Sequence, residues 1–307
     1  MSLHPQVQQL LERAQKSPLP MPWQVPPHVA RRLYRDTRAA SSPKAPEVAS
    51  VALMVTPETV PLRAYRPLGS KPEEALPALV YFHGGGWVIG DLDTHDVLCR
   101  QLSNGGHCAV YSVEYRMGPE HPFPAAVEDC FSATRFVAAR HKSLAVGGDS
   151  AGGNLATVVS LLARDAGGPE IAYQLLIYPA TDQRAQHPSV DRNGEGYLLT
   201  KQAMEYFRAR YLPNPADYTD WRASPLLAKS LANLPPAYVI TAGYDPLVDE
   251  GRAYAERMAK EGVDVAYREY PDMVHGFLLF GGVVDTANAA VQECCEKLKN
   301  AFAGVTA

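Results

Sequence analysis

Cysteine is scarce in this 307-residue chain: five residues, Cys99, Cys108, Cys130, Cys294 and Cys295, an odd number with no CxxC spacing. That pattern excludes a disulfide scaffold and a zinc ribbon, and it suits reduced thiols in a cytoplasmic setting. Long apolar runs are also missing. Stretches such as Ala78–Phe82 fall far short of the roughly 18 residues of a spanning helix, so no stable membrane anchor is expected. The N-terminal MSLHPQVQQLLERAQK is polar throughout and lacks the apolar centre of a signal peptide. Neither sign of charge dominates: 29 Lys and Arg stand against 33 Asp and Glu, a net charge of −4. A chain so balanced has no electrostatic footprint for nucleic acid and no basic face for a membrane surface. GxxxxGK, GxGxxG and HExxH are all absent, which leaves nucleotide, cofactor and metal binding without support. No internal repeat occurs.

What is present is a globular composition, 46% apolar and 20% charged, far from that of a disordered chain. Such a length can bury roughly 75% of the surface its unfolded form exposes. Proline is over-used, at 26 residues against roughly 5% on average, and must concentrate in loops and at element ends.

Periodicity divides the chain. Residues 1–45 read as two short helices, Gln6–Gln15 and His28–Ala39, split by the proline-rich Ser17–Pro27. The β-branched runs Val51–Val55 and Val60–Tyr65 alternate and suit antiparallel edge strands. Continuous apolar runs then follow at Ala78–Phe82, Cys108–Tyr115, Leu144–Gly147, Ile171–Tyr178, Ala237–Thr241 and Val263–Tyr270. Strands buried on both faces read this way, which is the signature of a parallel sheet. Helical patterns lie between them at Thr94–Ser103, Phe123–Arg140, Gly153–Arg164, Asp249–Lys260 and Asp285–Phe302. The expectation is an open α/β sheet of about eight mostly parallel strands with helices on both faces. Nearly 60 residues between Tyr178 and Ala237 break the alternation. A structureless loop of that length is improbable, so 185–222, with its helical Lys201–Tyr211, reads as an inserted helical cap. The domain expectation is therefore 1–45 as N-terminal cap helices, 46–184 with 223–307 as the catalytic unit, and 185–222 as the inserted cap.

The chemistry centres on Gly148-Asp149-Ser150-Ala151-Gly152, which follows the strand Leu144–Gly147 and opens a helix. This is the GxSxG nucleophile elbow in its strand–turn–helix context. Glycines two residues before and after the serine leave room for strand and helix to approach, and the helix start offers free N–H groups to a developing oxyanion. His83-Gly84-Gly85-Gly86-Trp87 ends the third strand and reads as the other half of an oxyanion hole, built from Gly84, Gly85 and Gly86 with Ala151. Serine needs a base, and of nine histidines only His187 and His275 follow Ser150. His275 stands in the loop after the last strand and is assigned; His187 falls in the insertion. The acid is Asp245, placed after the strand Ala237–Thr241 and kept out of the next helix by Pro246. Asp182 is the main rival, and Asp249 and Glu250 read as first-turn helix carboxylates.

These motifs together resemble the hormone-sensitive-lipase-like branch of the α/β-hydrolase carboxylesterases. HGGGWVIGD (83–91), EYRMGPEHPFPAA (114–126), GGDSAGGNLA (147–156), YPATD (178–182), SPL (224–226), GYDPLVDEG (243–251) and HGF (275–277) run in family order over most of the chain from about residue 48. The resemblance implies Ser150, Asp245 and His275 as a triad and Gly85, Gly86 and Ala151 as oxyanion donors, with Gly84 shaping the turn. It also implies a cap built from the N-terminal helices and the insertion. Met117-Gly118 departs from the family's usual Leu-Ala.

The expected activity is hydrolysis of short to medium acyl esters, roughly C4 to C8, by a serine carboxylesterase whose partners are a small ester and water. An amidase, peptidase or deacetylase on the same triad is the alternative, and a noncatalytic small-molecule receptor a more distant one. Trp87, Tyr197, Leu198, Tyr206 and Phe207, with Leu199 and Tyr211, are expected around the substrate pocket. A homodimer is compatible with all of this.

Overall fold

The computed structural model describes residues 2–305. Eight strands form one sheet: β1 (Ser50–Val55), β2 (Pro61–Arg66), β3 (Ala78–Phe82), β4 (Ala109–Val113), β5 (Leu144–Asp149), β6 (Tyr173–Ile177), β7 (Ala237–Tyr244) and β8 (Val265–Val274), in the order β1-β2-β4-β3-β5-β6-β7-β8. β1 and β2 pair antiparallel, as does β2 with β4, and every later pairing is parallel. The alternating runs thus became the antiparallel edge. The continuous ones became the buried parallel centre, where β3, β4, β5 and β6 are buried along their whole length.

Period two sorts the side chains of β3 onto two cores. Ala78, Val80 and Phe82 face helices α4 (Ala125–Ala138), α5 (Ala151–Ala166) and α8 (Val248–Lys260), whereas Leu79 and Tyr81 face α3 (Asp96–Gly106) and α9 (Asp285–Val305). Helices therefore cover both faces, as a parallel sheet requires. Strand order reverses at β3, whose neighbours are β4 on one side and β5 on the other. A reversal of this kind opens a crevice beyond the carboxyl ends of the strands. The His83–Trp87 loop leaves β3 there, and Ser150 leaves β5 beside it.

Four more helices lie above that crevice: α1 (Pro5–Gln15), α2 (Pro27–Ser41), α6 (Pro188–Arg192) and α7 (Lys201–Tyr211). Their seams are polar as well as apolar. Arg31 of α2 donates from Nε to Val88 O at 2.8 Å, from one terminal nitrogen to Gly118 O at 2.9 Å, and from both terminal nitrogens to Glu120. Arg35, one turn on, pairs with Asp91 through Nε at 2.9 Å. A small apolar cluster of Ala30, Val88, Ile89 and Tyr206 closes α2 against α7.

Two boundaries differ informatively from expectation. Helix α5 begins at Ala151, directly after the serine, although helix propensity alone argues for a start beyond the two glycines at 152 and 153. Packing overrides propensity: a Cβ on Gly152 would sit 1.8 Å from Phe82 O, so only glycine lets α5 start against β3. The short helix α6 was not expected, its five residues being too few for a periodic signal.

Truncating the inner face of β3 should be costly. Leu79→Ala leaves a cavity at a fully buried position and should lower stability by about 2–5 kcal/mol, read as a fall in the urea unfolding midpoint.

Candidate active site

Ser150 sits between β5 and α5 with φ 56° and ψ −116°, a backbone conformation that costs an L-residue on the order of 1–3 kcal/mol. Hydrogen bonds hold it there: Ser150 N donates to Ile177 O at 2.9 Å, and Ser150 O accepts from Asn154 N at 3.0 Å. The turn pushes the hydroxyl above the strand ends, where His275 Nε2 lies 2.8 Å from Ser150 Oγ. His275 immediately follows β8, and its Nδ1 lies 2.6 Å from Asp245 Oδ2. Asp245 is fully buried at the end of β7, and its other oxygen accepts from Leu247 N at 2.8 Å. A residue not singled out from the sequence completes the arrangement. Asn193, after α6, donates through Nδ2 to Gly243 O and Asp245 O, both at 3.0 Å, and ties the insertion to the loop that carries the acid. No sequence period marks such a contact.

The rivals fall elsewhere. Asp182 is bound by Arg184 and by His187 Nε2 at 3.2 Å, so the two residues that competed for the acid and base roles pair with each other. Burial alone would raise the Asp182 carboxyl, but Arg184 and His187 hold it well below the usual range. Glu250, read as an ordinary first-turn carboxylate, is instead fully enclosed and accepts Thr181 N at 2.7 Å and Asp182 N at 3.2 Å. Burial drives its pKa well above that of a free carboxyl, against the two backbone N–H groups that favour the charged form.

The glycine loop divides by function. Gly84 N donates to Asp149 Oδ1 at 3.0 Å, so its amide is spent on the elbow and Gly84 is not an oxyanion donor; it shapes the turn. Among the described residues no protein acceptor takes the amide hydrogens of Gly85, Gly86 or Ala151, and all three residues line the cavity over Ser150. Gly86 has φ 59°, and a Cβ there would fall 2.4 Å from the Phe207 ring. Beneath the loop is a buried polar knot. Asp149 accepts from Tyr81 OH at 2.8 Å and meets His95 Nε2 at 3.1 Å, while His83 stacks on Tyr115 at 4.3 Å between ring centroids. Burial would raise Asp149, but His95 and Tyr81 hold its carboxyl below the usual range.

The cavity encloses about 510 Å³. Trp87, Leu198, Leu199 and Phe207 line it as expected. Trp87 also stacks face to face on Tyr211, 4.6 Å between centroids. Tyr197, Tyr206 and Tyr211 do not line it. Tyr197 packs on Tyr244 at 5.0 Å, in a separate hollow with Arg192 and Asn193. Tyr206 is buried in the seam between α2 and α7. Helical spacing explains the second correction: Tyr206 and Phe207 are adjacent, about 100° apart around α7, so only one of them can face the crevice. Tyr34, Arg38 and Phe280 line the cavity unannounced by any motif. The departure at Gly118 also has a place, since a side chain there would meet Arg210 O at 2.5 Å.

A family model described as alpha/beta hydrolase fold matches residues 79–279, the span that carries the elbow, the acid and the base. Carboxylic ester hydrolase LipN of Mycobacterium tuberculosis is 48% identical over 234 residues, 71% of this chain and 61% of LipN. The chain belongs to the hormone-sensitive-lipase-like family of α/β-hydrolase carboxylesterases. Esterase LipI of the same organism is 42% identical over 259 residues, 81% of each chain. An ester-hydrolase from the metagenome of Lake Arreo, solved with a bipyridine phosphonate derivative, superposes with a TM-score of 0.92 at 42% identity, over 98% of this chain and 99% of that one.

The buried histidine under the glycine loop gives the site a defined acid sensitivity. Burial, with His95 adding to it, pushes the His83 imidazole down to about 4, whereas the unfolded chain takes up that proton near 6.5. Between those values the unfolded state binds more protons than the folded one, so stability falls as pH drops from about 6.5 to about 4. The slope from this group is at most about 1.4 kcal/mol per pH unit. His83→Asn should flatten that part of the profile in urea unfolding at pH 7, 5.5 and 4.5; an unchanged slope would reject the assignment.

Proposed function

We propose that this protein is a serine carboxylesterase acting on small esters of short to medium acyl chain. The observation that carries the reading is one unbroken chain of hydrogen bonds, Asp245 to His275 to Ser150, on a strained elbow that faces three amides without protein acceptors. Ser150 Oγ is the nucleophile. His275 Nε2 takes its proton as Oγ attacks the ester carbonyl, and Asp245 holds the imidazole by Nδ1–H and stabilises the imidazolium. The amides of Gly85, Gly86 and Ala151 receive the oxyanion, and the N-terminus of α5 adds its positive end. Collapse returns the proton from His275 to the leaving alcohol and leaves an acyl-serine. Water, activated by the same histidine, then releases the acid.

The substrate range rests on the cavity. A volume of about 510 Å³ roofed by α2 and α7 suits a chain of roughly C4 to C8. We assign the cap role to residues 1–45 and 185–222, because both supply walls of the cavity and Arg31 and Arg35 anchor the first of them to the loops beyond β3 and β4. A cytoplasmic setting is supported by five buried, unpaired cysteines. No helix among the described residues is long and apolar enough to cross a membrane.

Ser150→Ala should lower kcat on p-nitrophenyl butyrate by several orders of magnitude, toward the roughly 10⁶-fold cost of losing a triad nucleophile, with an unchanged circular dichroism spectrum. An acyl series of p-nitrophenyl esters should peak between C4 and C8; a maximum at C12 or beyond would sink the small-pocket reading. Matched ester and anilide substrates should favour the ester, and the reverse order would assign an amidase.

A further inference from the structure

Three arginines lie along one face of α2, at positions 31, 35 and 38, a spacing of four and then three residues. The first two each hold a carboxylate, Glu120 and Asp91. The third does not. Arg38 is only 6% exposed, and it forms part of the cavity wall with Tyr34, Phe280, His275 and Ser150. Its guanidinium carbon lies 4.2 Å from the centre of the Phe280 ring and 5.3 Å from that of Tyr34. Its Nε is buried without a hydrogen-bond partner, and among the described residues no carboxylate forms an ion pair with it.

The buried carboxylates at and behind the cavity are already committed. Asp149 is held by Tyr81 and His95, Asp182 by Arg184 and His187, and Asp245 by His275. Glu250 is enclosed on Thr181 and Asp182, and Glu205, at the rim, faces solvent. A guanidinium cannot shed its proton, so a positive charge persists beside the two rings in the cavity wall. Two aromatic faces compensate part of its lost hydration, but its Nε–H is left buried without an acceptor and, among the described residues, no carboxylate pairs with its other N–H donors. A planar carboxylate arriving in the cavity would accept two of them in parallel, the strongest arrangement open to an arginine.

We propose that Arg38 is an anion-recognition group of the substrate cavity and that the natural substrate is an ester bearing a free carboxylate besides its scissile bond. This rests on the esterase reading above. The carboxylate belongs either to the acyl part, as in a half-ester of a dicarboxylic acid, or to the alcohol part, as in an acylated hydroxy acid.

Two matched pairs distinguish these sources: monoethyl adipate against ethyl hexanoate, and 4-(butanoyloxy)butanoate against pentyl butanoate, each followed by proton release in a pH-stat. Arg38→Met should lower kcat/KM for one of the charged esters by about tenfold to a hundredfold more than for its neutral partner. The difference should lie mainly in KM, and Arg38→Lys should recover part of it. A purely structural role, anchoring α2 on Phe280, would lower both members of each pair alike, and that result overturns the proposal. So does a wild-type enzyme that hydrolyses the neutral esters but neither charged one. Failure on the neutral esters as well would instead sink the esterase reading. Calorimetric titration of monoethyl adipate and of 4-(butanoyloxy)butanoate into Ser150→Ala, with and without Arg38→Met, tests Arg38 without turnover. Binding of either ester that is lost in the double variant supports the proposal, and for both esters equal binding or none in either protein refutes it.

Discussion

The backbone at Ser150 is the constraint on which the site depends. A positive φ at a non-glycine residue persists only where its surroundings over-determine it, and here they do so from three sides. β6 accepts the serine amide through Ile177 O, α5 begins at the next residue, and Gly152 passes so close under Phe82 O that no side chain fits. That close passage requires β3 and β5 to be neighbours, which the sheet order provides. The same adjacency sets the glycine loop leaving β3 beside the amide of Ala151. One local strain therefore ties together strand order, helix start and the proposed oxyanion hole.

Electrostatics supports this geometry from beneath. Asp149, the residue before the serine, reaches across to Gly84 N and fixes the loop to the elbow, with Tyr81 and His95 satisfying its remaining capacity. The buried groups are thus pushed in different directions: the Asp149 carboxyl down, the His83 imidazole down to about 4 and the Glu250 carboxyl up. Each shift follows from burial set against the partners available, since desolvation penalises charge and only a partner restores it. Arg38 stands apart from that pattern as a buried charge met by two aromatic faces and, among the described residues, by no carboxylate.

Where sequence reading held, the signal was local. The elbow, the glycine run and the strand preceding Asp245 each declare themselves within about ten residues, because a strained turn or a buried strand restricts which side chains are tolerated there. Where it fell short, the deciding contact was distant. Tyr197 and Tyr206 are aromatic and lie in the insertion like Phe207, yet one packs on Tyr244 and the other against α2. Glu250 and Asp249 are consecutive carboxylates in one helical turn, yet Glu250 is enclosed by the turn after β6 and Asp249 is partly exposed beside Arg192.

By itself, then, the chain determined the alternation of strands and helices and the parallel centre with its antiparallel edge, and it singled out Ser150, His275 and Asp245 as the proposed triad, since hydrophobic period and turn chemistry are written in consecutive residues. The fold alone decided the rest. It gave Gly84 to Asp149 and left Gly85 and Gly86 facing the cavity, it paired Asp182 with His187, and it set Arg38 in the wall without a counter-charge. The physical reason is that hydrogen-bond partners and desolvation depend on which groups meet across the sheet and its roof, and neighbours along the chain carry no record of those meetings.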